Sequence, residues 1–210
     1  MQEAVVEESS KNFTEVKVWD LPIRLFHWTL VIGVATAYIS AKYRFSDVHV
    51  LVGYALCVLI LARVSWGIAG TKYARFTSFC FPFSETAIYL RTMLHGKPRH
   101  YVGHNPAGAL MVFTMLALLT LIFLTGLATL GAIDFDGPLS ALANYLSDEA
   151  SFLIRHLHAW LVNIGIALVA LHLAGVMWGS VQHRENLVKA MITGNKSESA
   201  LSGTNSEINK

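Results

Sequence analysis

Charge is scarce in this chain of 210 residues: Asp, Glu, Lys and Arg together make up 14% of it. That is too little to solvate the surface of an ordinary soluble domain. Cysteine is scarcer still, at two residues. Cys57 sits inside a long apolar run and Cys80 in a polar connection, so no disulfide framework is expected. A C-x-x-C-H motif is absent, which excludes covalent c-type haem attachment by its usual signature. The sequence shows neither an internal repeat nor a nucleophile–base–oxyanion constellation.

Hydrophobic residues, by contrast, reach 54%, and the mean hydropathy is positive. Four runs, about 23–41, 48–70, 107–131 and 152–179, approach or exceed the roughly 20 apolar residues that span a bilayer. The expected fold is therefore an all-α integral membrane bundle of four transmembrane helices, with both termini on one side. The polar segment 1–22 lacks a basic n-region and a small-residue cleavage site, so a removable signal peptide is not expected.

Orientation follows from the basic residues. Lys72, Arg75, Arg91, Lys97 and Arg99 lie between the second and third spans, and Arg184, Lys189 and Lys196 follow the fourth. Those sides are expected to be cytoplasmic. The third connection holds Asp134, Asp136, Asp148 and Glu149, with Arg155 at its far end; the first is short, with Lys42, Arg44 and Asp47. The division expected is a cytoplasmic segment 1–22, a helical domain 23–180 containing the cytoplasmic connection 71–106, and a cytoplasmic tail 181–210 whose end reads as disordered. Within the connection, Ser84 is placed to cap a short helix with Ile88, Tyr89 and Met93 to one side, lying on the membrane surface.

Nine histidines remain to be sorted by depth and helical direction. His158 and His172 are fourteen residues apart on the last span, which separates them by about 21 Å along a helix and about 40° around it. Such a helix presents two imidazoles on one face at two depths. His49 starts the second span near the depth of His158, and His27 starts the first near the depth of His172. Matching by depth pairs His49 with His158 on the external side and His27 with His172 on the cytoplasmic side. His156 points about 160° away from His172 and is set aside. His95, His100, His104 and His183 read as solvated residues of the basic connection and tail.

One intramembrane histidine taken alone is equally well read as a hydrogen bond between helices. Four that match in pairs point to metal ligation. Two imidazoles are a poor complete set for zinc or copper, whereas haem brings four equatorial nitrogens and needs only two axial ligands. The cofactors expected are thus two non-covalent b haems. Gly165 lies midway between His158 and His172 on nearly the same face, and Gly53 follows His49 by one turn, so both are placed to clear room for a porphyrin; ordinary helix packing explains either one equally well. Arg63, fourteen residues after His49 on its face, is placed to meet a haem propionate or a quinone carbonyl, as is Arg24 beside His27; snorkelling to headgroups stands as the other reading for both.

The segments VWDLPIRLFHW, HVLVGYALCVLILARVSWGIAG, YARF, GHNPAGALM and the final H-x13-H with ENLVKAMITGNK resemble the bacterial cytochrome b561 and nickel-hydrogenase cytochrome b family over about residues 16–196. The placing of the histidines is also similar to that in cytochrome b subunits of membrane formate dehydrogenases. The resemblance implies a four-helix core with two b haems whose ligands fall on His27, His49, His158 and His172, in the pairing that depth assigns. It also implies a quinone site near the inner haem, around His27, Arg24, Arg63, His104 and Asn105. Hydrogenase-type members often carry a further helix, and the sequence shows no fifth span.

The function expected is electron transfer across a bacterial cytoplasmic membrane, between the quinone pool and an external c-type cytochrome or metalloenzyme. The partners are then membrane lipid, quinone or quinol and that redox protein, with no nucleic acid. Two alternatives are a self-sufficient quinone oxidoreductase served by a diffusing small redox molecule, and a haem-free histidine-lined transporter or channel. Gly175 and Gly179 form a G-x-x-x-G that is a weak signal for a dimer.

Overall fold

The computed structural model of the protein describes residues 15–96, 99, 101–182 and 185–197. Lys97, His100, His183, Arg184 and most of the polar tail lie outside the described residues. Four long helices dominate: α1 (Leu21–Lys42), α2 (Ser46–Ala69), α4 (Pro106–Ile133) and α5 (Asp148–Gln182), each apolar enough to cross a membrane. Shorter elements join them: strand β1 (Glu15–Lys17), helix α3 (Phe83–Leu94), helix α6 (Leu187–Thr193) and strand β2 (Asn195–Ser197). At 35 residues α5 is about 52 Å long, more than the roughly 30 Å hydrocarbon layer, so it extends past the bilayer.

Helix α1 packs against α2 and α4 against α5, and α2 meets α4 between the two hairpins. A Cβ at Gly33 would come within 2.6 Å of Leu56 Cδ2, so the first hairpin uses its glycine for close approach. Large apolar side chains such as Leu51, Ile68, Trp160, Met177 and Trp178 are exposed on the long helices. In water that surface would aggregate; in a bilayer it faces lipid.

The tightest protein core lies at one end of the bundle, where both described chain ends meet. Val18, Trp19, Ile23, Ala74 and Ala190 are buried there together. Strand β1 pairs antiparallel with β2, Glu15 opposite Ser197 and Lys17 opposite Asn195. Lys196 and Ser197, the first two residues of the tail read as disordered, are thus held in a strand. Gly194 makes the junction: at φ 89° it ends α6, and its carbonyl accepts from the N–H of Val18 (2.9 Å) and of Trp19 (3.0 Å). A Cβ at Gly194 would press within 2.5 Å of the Trp19 carbonyl oxygen, so the turn needs glycine. This end is called the terminal face below.

Asp20 is its polar hub. The carboxylate caps α1 by accepting from Ile23 N–H (2.9 Å), and also accepts from Trp66 Nε1 (2.9 Å) and Thr71 Oγ1 (2.7 Å). Burial opposes the ionised form, but these three bonds and the nearby Arg63 outweigh it and hold the carboxyl below its ordinary value. Asp20→Ala removes the cap and strands the indole and hydroxyl. The expected cost is about 2 kcal/mol, read as a lower melting temperature of the purified protein.

Helix α3 packs on α4 and differs from its sequence reading in two details. Pro82, with no side-chain bond, occupies the N-cap and Ser84 lies inside the helix, because the fixed φ of proline already sets the chain entering the first turn. Tyr89 is buried but Ile88 is 63% exposed, since residues one apart on a helix diverge by about 100°. Tyr89, shut away beside Tyr101, has its hydroxyl pushed up to about 12 by burial first and by Tyr101 second.

Candidate histidine-pair site

The structure brings the four histidines together in two pairs from α1, α2 and α5. The His27 and His172 ring centres are 6.4 Å apart, and those of His49 and His158 are 6.2 Å apart. Two imidazoles sharing one metal, each bonded at about 2.0 Å with its ring centre about 1.1 Å beyond, would stand about 6.2 Å apart. Rotation about the line between them leaves the spacing unchanged, so interplanar angles of 53° and 88° are both compatible with it.

Hydrogen bonds set the rings of the second pair. His49 Nδ1 lies 2.9 Å from the Ala37 carbonyl oxygen of α1, and His158 Nδ1 lies 3.0 Å from the Ile122 carbonyl oxygen of α4. A carbonyl only accepts, so in both residues Nδ1 carries the proton and Nε2 keeps its lone pair for a metal. This is the anchoring that ligand histidines require. The Thr125 hydroxyl is 3.2 Å from the same His158 nitrogen. In the first pair, His27 Nδ1 is buried without a partner and the ring is edge-on to Trp28.

Among the described residues no three His, Cys, Asp or Glu side chains converge as a metal site. The paired imidazoles therefore suit a metal whose other ligands arrive with it. Haem b fits that donor set, and at Gly53, one turn after His49, a Cβ would meet no protein atom within 4 Å. At Gly165 a Cβ would make ordinary contacts with Ile122 (3.6 Å) and Leu118 (3.7 Å) of α4, so the protein's own packing does not demand glycine there.

Gly126, not singled out by the sequence, is more constrained. Its Cβ would stand 3.0 Å from His158 Cε1 and 3.3 Å from Nδ1, so α4 bears on the ring through a residue without a side chain. Its signal was present as one more glycine in an apolar span, but nothing in α4 says that it faces His158. His156 is exposed on α5 and has no part in either pair.

Near the terminal-face pair Arg63 is not solvated. Arg63 is 5% exposed, which rules out the snorkelling reading; its guanidinium lies 4.7 Å from the Phe76 ring centre and 6.0 Å from that of Phe26, and Nη1 is buried without a partner. Aromatic rings substitute for headgroup water as its surroundings. Arg24 reaches the other way, donating from Nη1 to the Ile192 carbonyl of α6, with Nε buried and unpartnered. Asn105 spends its side-chain oxygen capping α4 at Gly108 N–H (2.7 Å), with Pro106 at the first helical position.

His104 departs from the solvated reading. Its ring packs 4.6 Å from Trp19 and 4.3 Å from Phe79, and Nδ1 is buried with no partner. The reason is tertiary: the β1–α1 junction and the 70s connection close over it from positions remote in sequence. Burial first, then the charges of Arg63 and Lys196, lower its pKa from 6.5 to about 3. Acidification below pH 6.5 thus protonates the unfolded chain before the folded one, and stability falls progressively toward about pH 3. His104→Gln is expected to flatten the dependence of melting temperature on pH between 6.5 and 4.

Several proteins are similar to this chain in sequence. The family model described as prokaryotic cytochrome b561 matches residues 18–194. A probable Ni/Fe-hydrogenase B-type cytochrome subunit of Rhodobacter capsulatus is 24% identical, over 90% of this chain and 84% of its own. A protein of the same description from Azotobacter vinelandii is 30% identical over 51% of this chain and 55% of its own. The probable Ni/Fe-hydrogenase 1 B-type cytochrome subunit of Escherichia coli K12 is 24% identical over 59% and 63%. No solved structure matches. The family match runs from the residue after β1 to the glycine before β2 and leaves none of the helices outside it: the chain belongs to the prokaryotic cytochrome b561 family.

Proposed function

We propose that this protein is a dihaem b-type membrane cytochrome that carries electrons between the quinone pool and an external redox protein. The observation that carries the reading is the pair of imidazole couples, with ring centres 6.4 and 6.2 Å apart, at two depths along α5. His49 with His158 would hold one haem b, and His27 with His172 the other. A b haem held by two imidazoles exchanges single electrons and offers no open coordination position.

The chain's own residues do the rest. Ala37, Ile122 and Thr125 orient His49 and His158, and the apolar helices keep water from both pairs. Arg63 supplies a buried positive charge and Arg24 a half-buried one near the terminal-face pair, suited to propionates or to a quinone carbonyl. Lys72, Arg75, Arg91, Arg99 and Lys189 support a cytoplasmic terminal face in a bacterial inner membrane, with segments 1–22 and 181–210 on the same side. The opposite face, with Asp134, Asp136, Asp148 and Glu149 exposed, would receive the external partner. Because the relatives carry the name of Ni/Fe-hydrogenase subunits, that partner is best sought first among metalloenzymes, and a c-type cytochrome is the next candidate.

The deciding measurement is a pyridine haemochrome assay on the purified full-length protein. Two b haems per chain are expected, and none at all would leave the histidines to a channel or transporter.

A further inference from the structure

Two of the four paired histidines are held by the same local device. In α1 the Ala37 carbonyl oxygen, 2.9 Å from His49 Nδ1, also accepts from the Ser40 hydroxyl three residues on, at 3.0 Å. In α4 the Ile122 carbonyl oxygen, 3.0 Å from His158 Nδ1, lies 3.0 Å from the Thr125 hydroxyl, again three residues on. A helical carbonyl has two lone pairs and already accepts from the N–H four residues on. A hydroxyl and an imidazole that reach the same oxygen therefore share what is left. The other pair has no such arrangement at His27, whose Nδ1 is buried without a partner.

The two hydroxyls are not equivalent. Ser40 is 3% exposed, and its hydroxyl has the Ala37 carbonyl as its acceptor, so it competes with His49 for that oxygen. Thr125 has a second acceptor, the Leu121 carbonyl at 2.8 Å, nearer than Ile122. With its hydrogen on Leu121, the Thr125 oxygen faces His158 Nδ1 at 3.2 Å. That nitrogen carries the proton, because the Ile122 carbonyl can only accept, so toward it the hydroxyl oxygen is a second acceptor. Ser40 thus weakens the Nδ1 bond of one histidine, and Thr125 adds to that of the other.

We propose that Ser40 and Thr125 are positioning residues that set, in opposite senses, the reduction potential of the haem held by His49 and His158. This rests on the haem assignment proposed above. A hydrogen bond accepted from Nδ1–H makes Nε2 a more basic ligand, and a more basic ligand favours ferric over ferrous iron. Reduction adds one electron to the iron and moves no proton among these groups. Ser40 favours the reduced form by loosening the hold on His49, and Thr125 favours the oxidised form by tightening the hold on His158.

The test is a redox titration of purified full-length holoprotein, read in the haem absorption bands, with the component missing from His49→Ala marking the haem concerned. Ser40→Ala is expected to shift that component about threefold toward the ferric form, which for one electron is about 28 mV downward at about 59 mV per tenfold. Thr125→Val keeps the shape and loses the hydroxyl, and is expected to shift it about threefold the other way. Thr125→Ser retains the hydroxyl and should titrate like the wild type. All three variants should keep wild-type haem content, with the second component unmoved. Shifts of the same sign in Ser40→Ala and Thr125→Val would overturn the proposal, since mere loosening of the site acts alike in both. So would the absence of a shift in either one, equal shifts of both components, or loss of haem from either variant. A wild type that binds no haem removes the assignment itself, a result distinct from bound haems whose potentials ignore both hydroxyls.

Discussion

Alanine at either member of one histidine pair is expected to remove one haem and leave the other. On the proposed assignment, His49→Ala and His158→Ala would each remove one of the two imidazoles that hold the same haem, and the remaining one would hold it weakly. Haem content should fall from about two to about one per chain in both variants. His27→Ala and His172→Ala should do the same to the other haem, so the two groups of variants differ in which absorption and redox component survives. The geometry behind this is the 6.2 Å and 6.4 Å ring spacings, each joining α5 to a different helix. Haemochrome content with a redox titration of each variant reads the outcome. Loss of both haems from every variant, with helical circular dichroism retained, would contradict the pairing. His156→Ala is the internal control and should keep full content, because that side chain is exposed on another face of α5.

Filling Gly126 should injure the His49–His158 site without touching either histidine. A Cβ 3.0 Å from His158 Cε1 forces the ring to tilt or α4 to withdraw, and overpacking of this kind costs about 1–3 kcal/mol. Tilting strains the Nδ1 bond to the Ile122 carbonyl, and losing such an orienting bond typically lowers metal affinity about 10- to 100-fold. Gly126→Ala should therefore weaken haem retention at this pair, and Gly126→Val should abolish it, leaving the His27–His172 haem in place. Gly53→Ala makes a pointed comparison. Its Cβ meets no protein atom within 4 Å, so any loss of haem there reports contact with the macrocycle itself. Equal haem content in Gly126→Val and the wild type would show that His158 does not depend on the space beside it.

Much of this was legible in sequence because two regular spacings carry it. Apolar runs of bilayer length mark α1, α2, α4 and α5 to within a few residues, since the hydrocarbon layer imposes length and composition together. The same regularity turns fourteen residues into two depths on one face, which is how His158 and His172 find different partners. What could not be read depends on contacts between segments far apart in the chain. His104 resembles any histidine in a basic loop until Trp19, Phe79 and Lys196 are seen around it. Ser84 looks like a cap, because local rules cannot tell where the backbone will enter the helix. One glycine of the G-x-x-x-G pair is likewise occupied within the chain: a Cβ at Gly179 would meet Leu187 of α6 at 3.3 Å, while Gly175 faces no protein atom within 4 Å.

The sequence by itself determined the number of spans, the scarcity of charge within them and the histidines able to share a depth, all consequences of helical periodicity and the energetics of hydrocarbon. Tertiary structure decided which nitrogen of His49 and His158 stays free, that Gly126 admits the His158 ring, that Asp20 meets Trp66 and Thr71 and Arg24 meets α6, and that Trp19 and Phe79 close over His104. Those outcomes turn on hydrogen bonds and side-chain clearances of a few ångströms between distant segments, and such distances exist only once the helices have packed.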